Sequence, residues 1–206
     1  MKKITSKEKK ERSLGVKLFL KGERCSSPKC VTVRRPYRPG VHGKSRRRPL
    51  SEYGTQLLEK QRIKVSYGLG EKQLEKIFKN ALAGSGSITD TIMNSLERQL
   101  VNVIFRLGLA SSRISARQVV SHGHILVNGK KITIPSCVLR VGDLISIKPA
   151  SKELLIFKDL PNIIKKYDPP LWLELDKEKL EGKIKSLPHN VEIPFDINLV
   201  VDYYSK

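Results

Sequence analysis

Thiols are scarce in this 206-residue chain: Cys25, Cys30 and Cys137 are the only three. An odd, low number argues against a secreted disulfide scaffold and for a reducing compartment. Long apolar runs are missing too. The longest are only a few residues, against the roughly 20 that a membrane span needs. The N-terminus, Met1-Lys2-Lys3-Ile4-Thr5-Ser6-Lys7, is basic but has no apolar core behind it, and Glu8 and Glu11 argue against a transit peptide. No internal repeat is visible. These absences lead to the expectation of a soluble protein in the cytoplasm or a similarly reducing location, with no membrane partner. The last shortage is acid: 20 Asp+Glu stand against 40 Lys+Arg, a net charge of +20. That excess implies a polyanionic partner, nucleic acid before an anionic membrane surface.

The 39% hydrophobic content is enough for a core, and 29% charged residues exclude a wholly membrane-embedded chain. The charge is unevenly spread. Residues 1–64 hold 20 Lys+Arg and 5 Asp+Glu, whereas the last 42 residues hold 7 and 8. The first third is therefore the electrostatic element and the tail is not. Basic arms of this kind bind phosphate backbones by releasing counterions. The alternative for such a run is a solvated face with no specific partner.

Residues 1–50 read as a mostly irregular basic arm with little core. Pro28, Pro36, Pro39 and Pro49 alternate with Gly15, Gly22, Gly40 and Gly43 too often for long helices. Residues 51–94 read as the helical part of an N-terminal domain. Ser51 suits a helix N-cap and Gly68 a stop, and a second helix is expected over about Glu71–Leu82. Gly84-Ser85-Gly86-Ser87 lacks the Gly-Lys-Ser/Thr continuation of a nucleotide loop and reads as a hinge. Ser95 and Ser112 are the expected caps of two further helices.

The period then changes. Ile125-Leu126-Val127, Asn128-Gly129 and Lys130-Lys131-Ile132 form the pattern of a tight hairpin, and Val138–Val141 and Leu144–Ile147 read as further strands. Residues 152–166 carry one amphipathic helical pattern. The expected class is α+β: a mainly helical N-terminal domain with its arm, then a small α+β domain over 95–166, with two helices on a short antiparallel sheet. Residues 167–206 are expected to pack back on the N-terminal domain.

The string from Ser111 to Lys131, with Arg113, Arg117, His122, Gly123, His124, Asn128 and Gly129 at fixed spacing, resembles the small RNA-binding domain named after ribosomal protein S-four. Gly22-Glu23-Arg24-Cys25, Pro39-Gly40-Val41-His42-Gly43, Glu59-Lys60-Gln61 and Tyr67-Gly68 are similar to that family's N-terminal region. Pro170-Leu171-Trp172-Leu173 and Tyr203-Tyr204-Ser205-Lys206 are similar to its C-terminal region. The likeness covers nearly the whole chain and is closest to the bacterial and organellar type. It implies a structural constituent of the small ribosomal subunit that binds the 5′ domain of 16S-type rRNA, nucleates assembly of the subunit body and contributes to translational fidelity. Implied partners are that rRNA, neighbouring small-subunit proteins and the mRNA entrance path, with no homo-oligomer. The second reading is an enzyme that borrows the module, but no nucleophile–base pair, ligand cluster or nucleotide loop stands out, so no enzymatic activity and no cofactor is expected. The third is a free-standing RNA chaperone or stress factor that binds ribosomes transiently.

The candidate RNA contacts in the arm are Arg34, Arg35, Arg38, His42, Lys44, Arg46, Arg47 and Arg48, followed by Lys60 and Arg62. Tyr37 either stacks on a base or packs within the Pro-rich coil. In the module the candidates are Arg106, Arg113, Arg117, His122, His124, Asn128, Lys130 and Lys131. Arg113 and Arg117 are four apart and share a helix face, and the helix start at Ser112 offers free N–H groups to a phosphate. Ordinary surface cations, and histidines that only pack, are the plain alternatives. Leu199, Val200, Tyr203 and Tyr204 are the candidate protein interface. Many members of the resembled family carry four N-terminal cysteines that bind zinc or an iron–sulfur cluster. Here Glu8 and Glu11 fall where the first pair is expected, leaving only Cys25 and Cys30, so no metal site is expected.

Overall fold

The computed structural model describes residues 6–46, 48–165, 167–189, 191 and 193–205. The chain forms two compact units. The first runs to Thr89 and takes in the residues from Ile193 onward; the second begins at Asp90. The division falls just past the glycine–serine stretch, within the first turn of a helix.

In the first unit, α1 (Lys7–Leu14), α2 (Glu23–Ser26) and α3 (Val31–Arg34) are short. The frequent proline and glycine limit helix length, yet this part of the arm does have a core, contrary to the sequence expectation. Leu14, Leu18, Leu20, Cys25 and Cys30 are buried. Two carboxylates organise it. Glu11, fully buried, accepts the N–H groups of Leu18 (3.1 Å) and Leu20 (3.0 Å) through Oε1. Glu8 pairs with Arg24 (3.1 Å) and Lys21 (3.6 Å). The described residues from Pro36 to Leu50 are coil and turns, as the proline spacing predicts.

Next come α4 (Glu52–Tyr67) and α5 (Glu71–Leu82). The Ser51 hydroxyl caps α4 by accepting the Gly54 N–H (3.2 Å), and Gly68 closes it in the left-handed conformation. Leu74, Phe78 and Ala81 give α5 its buried face.

The second unit holds most of α6 (Ile88–Glu97), then α7 (Leu100–Arg106) and α8 (Arg113–Ser121). Ser95 lies inside α6 rather than capping a new helix; the break comes at Arg98–Gln99, where Gln99 bridges to Val138. Three strands follow: β1 (Ile125–Val127), β2 (Lys130–Lys131) and β3 (Leu144–Ile147). The expected strand at Val138–Val141 reduces to that one bridge, because Val138 and Val141 are exposed and only Leu139 turns inward. The single helix expected over 152–166 is two, α9 (Leu155–Lys158) and α10 (Leu160–Lys165). Pro161 has no N–H to return to the preceding turn, which breaks the run there.

The tail is divided rather than packed back as one piece. β4 (Leu173–Asp176) and β5 (Glu181–Ile184) join the module's antiparallel sheet, whose order is β2-β1-β3-β5-β4. Only α11 (Ile197–Ser205) belongs with the first unit, where it packs across α4 and α5. The split has a packing cause. Trp172, Leu173, Leu180 and Ile184 complete the core built by Leu100, Val103 and Ile104 of α7, Leu107 just past its end, and Ala116, Val119 and Val120 of α8. β5 lies so close to α7 that a Cβ on Gly182 would stand 2.3 Å from Leu107 Cδ1. No described helix is long and apolar enough to cross a membrane.

Candidate nucleic-acid interface

In the second unit, α8 and the hairpin present most of the predicted cations. Ser112 is buried and accepts the Ser115 N–H (3.2 Å), which fixes where α8 starts. Arg113 follows at once, half-buried. Its Nε donates to Asn102 Oδ1 (2.7 Å) and its guanidinium lies 4.6 Å from the centre of the Phe105 ring. Arg117, one turn on, is exposed. Asn102 in turn donates to Glu97 Oε2 (2.7 Å), and Arg106 grips the same carboxylate with Nε (3.1 Å) and Nη2 (3.2 Å). Glu97 has no solvent exposure. One buried carboxylate thus orients two arginines, one directly and one through an asparagine. Glu97 and Asn102 escaped the sequence reading, which sought cations; the (i, i+4) pair Asn102–Arg106 was the available signal.

The hairpin turn has Asn128 at φ 50° and Gly129 at φ 77°, the pair of positive angles that tight hairpins use. Asn128 is occupied in holding it. Its amide donates to Asp143 (2.8 Å) and its oxygen accepts the Leu144 N–H (2.9 Å). Both bonds hold the turn, on a residue that stays exposed. Lys130 and Lys131, both exposed, form the edge strand β2. His122 is exposed and His124 half-buried, its Nδ1 3.0 Å from Ser151 Oγ. Burial first, then the positive charges of His122, Lys148 and Lys131, hold His124 below the ordinary imidazole pKa.

In the first unit, Arg34, Arg35, His42, Lys44, Arg46 and Arg48 are exposed and Arg38 is half-buried. Arg47 lies outside the described residues. Tyr37 is engaged by the chain itself: Arg12 and Lys44 sit 5.0 and 5.1 Å from its ring centre. Arg12 also donates to the carbonyls of Tyr37 (2.9 Å) and Arg38 (3.3 Å), tying the coil to α1. These contacts tie the half-buried ring into the coil.

Two predicted contacts are spoken for by the fold. Lys60 is buried; it pairs with Glu71 (2.7 Å), donates to Tyr203 Oη (3.0 Å) and sits 4.1 Å from the centre of that ring. Arg62 pairs with Glu59 and donates to the Leu14 carbonyl (3.1 and 3.0 Å). Both therefore hold helices together. The predicted protein interface turns inward likewise. Val200 is fully buried, Tyr203 packs 5.7 Å from Tyr53, and Tyr204 packs 5.1 Å from Phe78. Leu199 is half-buried beside them. The apolar face of α11 is consumed by α4 and α5.

A zinc or iron–sulfur centre does not fit the N-terminal residues. Glu8 is held by two cations, and Glu11 Oε1 by two backbone amides. Cys25 accepts the Lys21 N–H (3.4 Å), and its thiol is pushed up by burial. Among the described residues no three His, Cys, Asp or Glu side chains are placed to hold a metal ion.

Comparison with known proteins decides the family. Residues 2–97 match the description "Ribosomal protein S4/S9 N-terminal domain", and residues 98–145 match "S4 domain". The small ribosomal subunit protein uS4 of Halothermothrix orenii is 45% identical over 194 residues, 93% of each chain. Those of Syntrophomonas wolfei (45% over 194 residues, 93% of each chain) and Syntrophobacter fumaroxidans (47% over 193 residues, 93% of this chain and 92% of the relative) are similar. The chain belongs to the uS4 family. The family boundary at residue 97 falls on Glu97, the buried anchor of the α7–α8 arginines, so in this uS4 chain the carboxylate and the guanidinium groups it orients fall on opposite sides of that boundary.

Proposed function

We propose that this uS4-family chain is a structural, non-enzymatic constituent of the small ribosomal subunit, and that it is a primary binder of the 5′ domain of 16S-type rRNA. The observation that carries the reading is the Arg113 guanidinium held by Asn102 at the start of α8, supported by the exposed Arg117 one turn on and the exposed lysines of β2. Fixed cations at phosphate spacing recognise folded RNA by shape and need no base-specific contact. The exposed arginines and lysines of residues 34–48 supply a second phosphate-binding surface. The RNA surface is thus made of Arg34, Arg35, Arg38, His42, Lys44, Arg46, Arg48, Arg106, Arg113, Arg117, His122, His124, Lys130 and Lys131.

By neutralising packed phosphates, these two surfaces fix the relative orientation of rRNA helices, which is how the chain would nucleate assembly of the subunit body. The same reading gives it contacts with neighbouring subunit proteins and a place near the mRNA entrance path, where it influences decoding fidelity. The near-neutral tail, and not the arm, suits those protein contacts. It acts as one copy per particle.

Sedimentation tests the reading. The chain should remain with small subunits in stoichiometric amount through a moderate-salt wash and should bind a 5′-domain transcript alone. Loss from the particle in that wash would place it among transient factors.

A further inference from the structure

The turn joining α8 to β1 gathers four basic side chains from three places in the chain. His122 and His124 flank Gly123, with ring centres 5.9 Å apart. Lys148 stands beside His124 on the extension of β3, where its N–H meets the His124 carbonyl (2.8 Å). Lys131 reaches across from β2. A Cβ on Gly123 would lie 2.2 Å from Lys131 Cε and 2.9 Å from its Nζ, so the lysine stem lies on the turn itself. Gly123 has φ 74°, a left-handed conformation that favours glycine.

The His124 ring is held in place. The Phe157 ring meets it edge-on at 6.1 Å, and the buried Ser151 hydroxyl is 3.0 Å from Nδ1. The groups facing it are His122 from its own turn, Lys131 from β2, Lys148 from β3, Ser151 from the turn at Pro149–Ser151 and Phe157 from α9. None is acidic. Among the described residues no ion pair involves His122, His124, Lys131 or Lys148. Four basic groups held together with no counter-charge form a site that an anion completes.

We propose that the His122–Gly123–His124 turn, with Lys131 and Lys148, is a site for an RNA backbone phosphate, and that His124 takes up a proton when the phosphate binds. The proposal rests on the RNA-binding reading above. In the free protein, burial and the surrounding cations bias the imidazole toward its neutral form. A phosphate oxygen among the same groups reverses the electrostatic part of that bias and favours the imidazolium. Because the bound state then has the higher pKa, affinity rises as pH falls between the bound and free values. The gain is capped at about tenfold per pH unit for a single linked proton. Below the free value both states are protonated and the gain stops.

The test uses the full chain and a 5′-domain rRNA transcript, titrated calorimetrically from pH 8 to pH 6 in buffers of different ionisation enthalpy. Net proton uptake and roughly three- to tenfold tighter binding over that range are expected. The His124→Gln variant, whose folding is checked by Trp172 fluorescence, should lose the uptake and flatten the profile, whereas His189→Gln should retain both. The imidazole resonances of His124 should show a pKa that rises on adding the transcript.

Binding without proton uptake, or uptake that survives His124→Gln, overturns this proposal and leaves the RNA-binding reading standing. No binding at any pH overturns both. If inorganic phosphate alone raises the His124 pKa as far as the transcript does, the site is one for free phosphate and its assignment to the RNA backbone is overturned.

Discussion

Removing the Glu97 carboxylate tests whether the arginines of α7 and α8 are oriented by the protein or only decorate it. Glu97 is completely buried, and its carboxylate accepts hydrogen bonds from the Asn102 amide and from Nε and Nη2 of Arg106. Replacing it with Ala takes this acceptor from the Arg106 guanidinium and leaves the Asn102 amide only the backbone carbonyl of residue 97 (3.1 Å). Breaking a buried ion pair from one side costs about 3–5 kcal/mol. The Arg106 side chain is 23% exposed and can turn toward water, which argues for the lower end, about 3 kcal/mol. For a unit of this size that corresponds to a fall in melting midpoint of roughly 12–24 °C. Trp172 is the only tryptophan, is buried, and lies in the same unit, so its fluorescence reports that unit alone. Glu174→Ala, which removes an exposed pair with Lys185 in the same unit, serves as the control and should change stability by less than about 1 kcal/mol. In Glu97→Ala, RNA affinity should fall as well, since Arg113 is held through Asn102. A destabilisation below about 1 kcal/mol in Glu97→Ala, with unchanged RNA affinity, would refute the anchoring argument.

Replacing Arg46 and Arg48 with Ala should reduce the slope of log affinity against log salt by roughly 0.7–0.9 for each phosphate that these arginines neutralise; an unchanged slope means that neither touches RNA in the binary complex. Glu11→Ala should open the N-terminal knuckle at about 2–4 kcal/mol lower free energy, read as faster amide exchange at Leu18 and Leu20, because two buried N–H groups are left without a charged acceptor. Chelator should leave that exchange unchanged and elemental analysis should find no stoichiometric zinc; metal-dependent protection would contradict the carboxylate account. The docking of α11 should weaken at both ends of the pH scale. Hydrogen bonds from Lys60 and Lys64 hold Glu71 below the ordinary glutamate pKa, so its contribution is present above that ordinary value and is lost as pH falls through the depressed one. Burial pulls Lys60 down, but the hydrogen bonds to Glu71 and Tyr203 outweigh it, so its contribution is present below the ordinary lysine value and is lost as pH rises through the raised one. Tyr53 and Tyr203 resonances, followed across pH, measure the release.

Residue spacing alone determined the local elements and the chemistry of the partner. Ser51 and Gly68 bound α4, Ser112 caps α8, and Asn128-Gly129 turns the hairpin, because caps and tight turns are set by a few neighbouring residues. The basic arm and the S-four string were readable for the same reason: charge runs and motif spacing are properties of the chain. Which cations remain available was decided by the tertiary structure. Lys60 and Arg62 look like their exposed neighbours in sequence, yet Glu71, Tyr203 and the Leu14 carbonyl claim them across 11, 143 and 48 residues of chain. Burial makes an unpaired charge costly, so a lysine or arginine that lands inside must take the partners found there. The tail divided by the same logic. Trp172 and Ile184 fill the sheet core and Val200 fills the α4–α5 groove, and no local pattern states which apolar surface a strand or helix will meet.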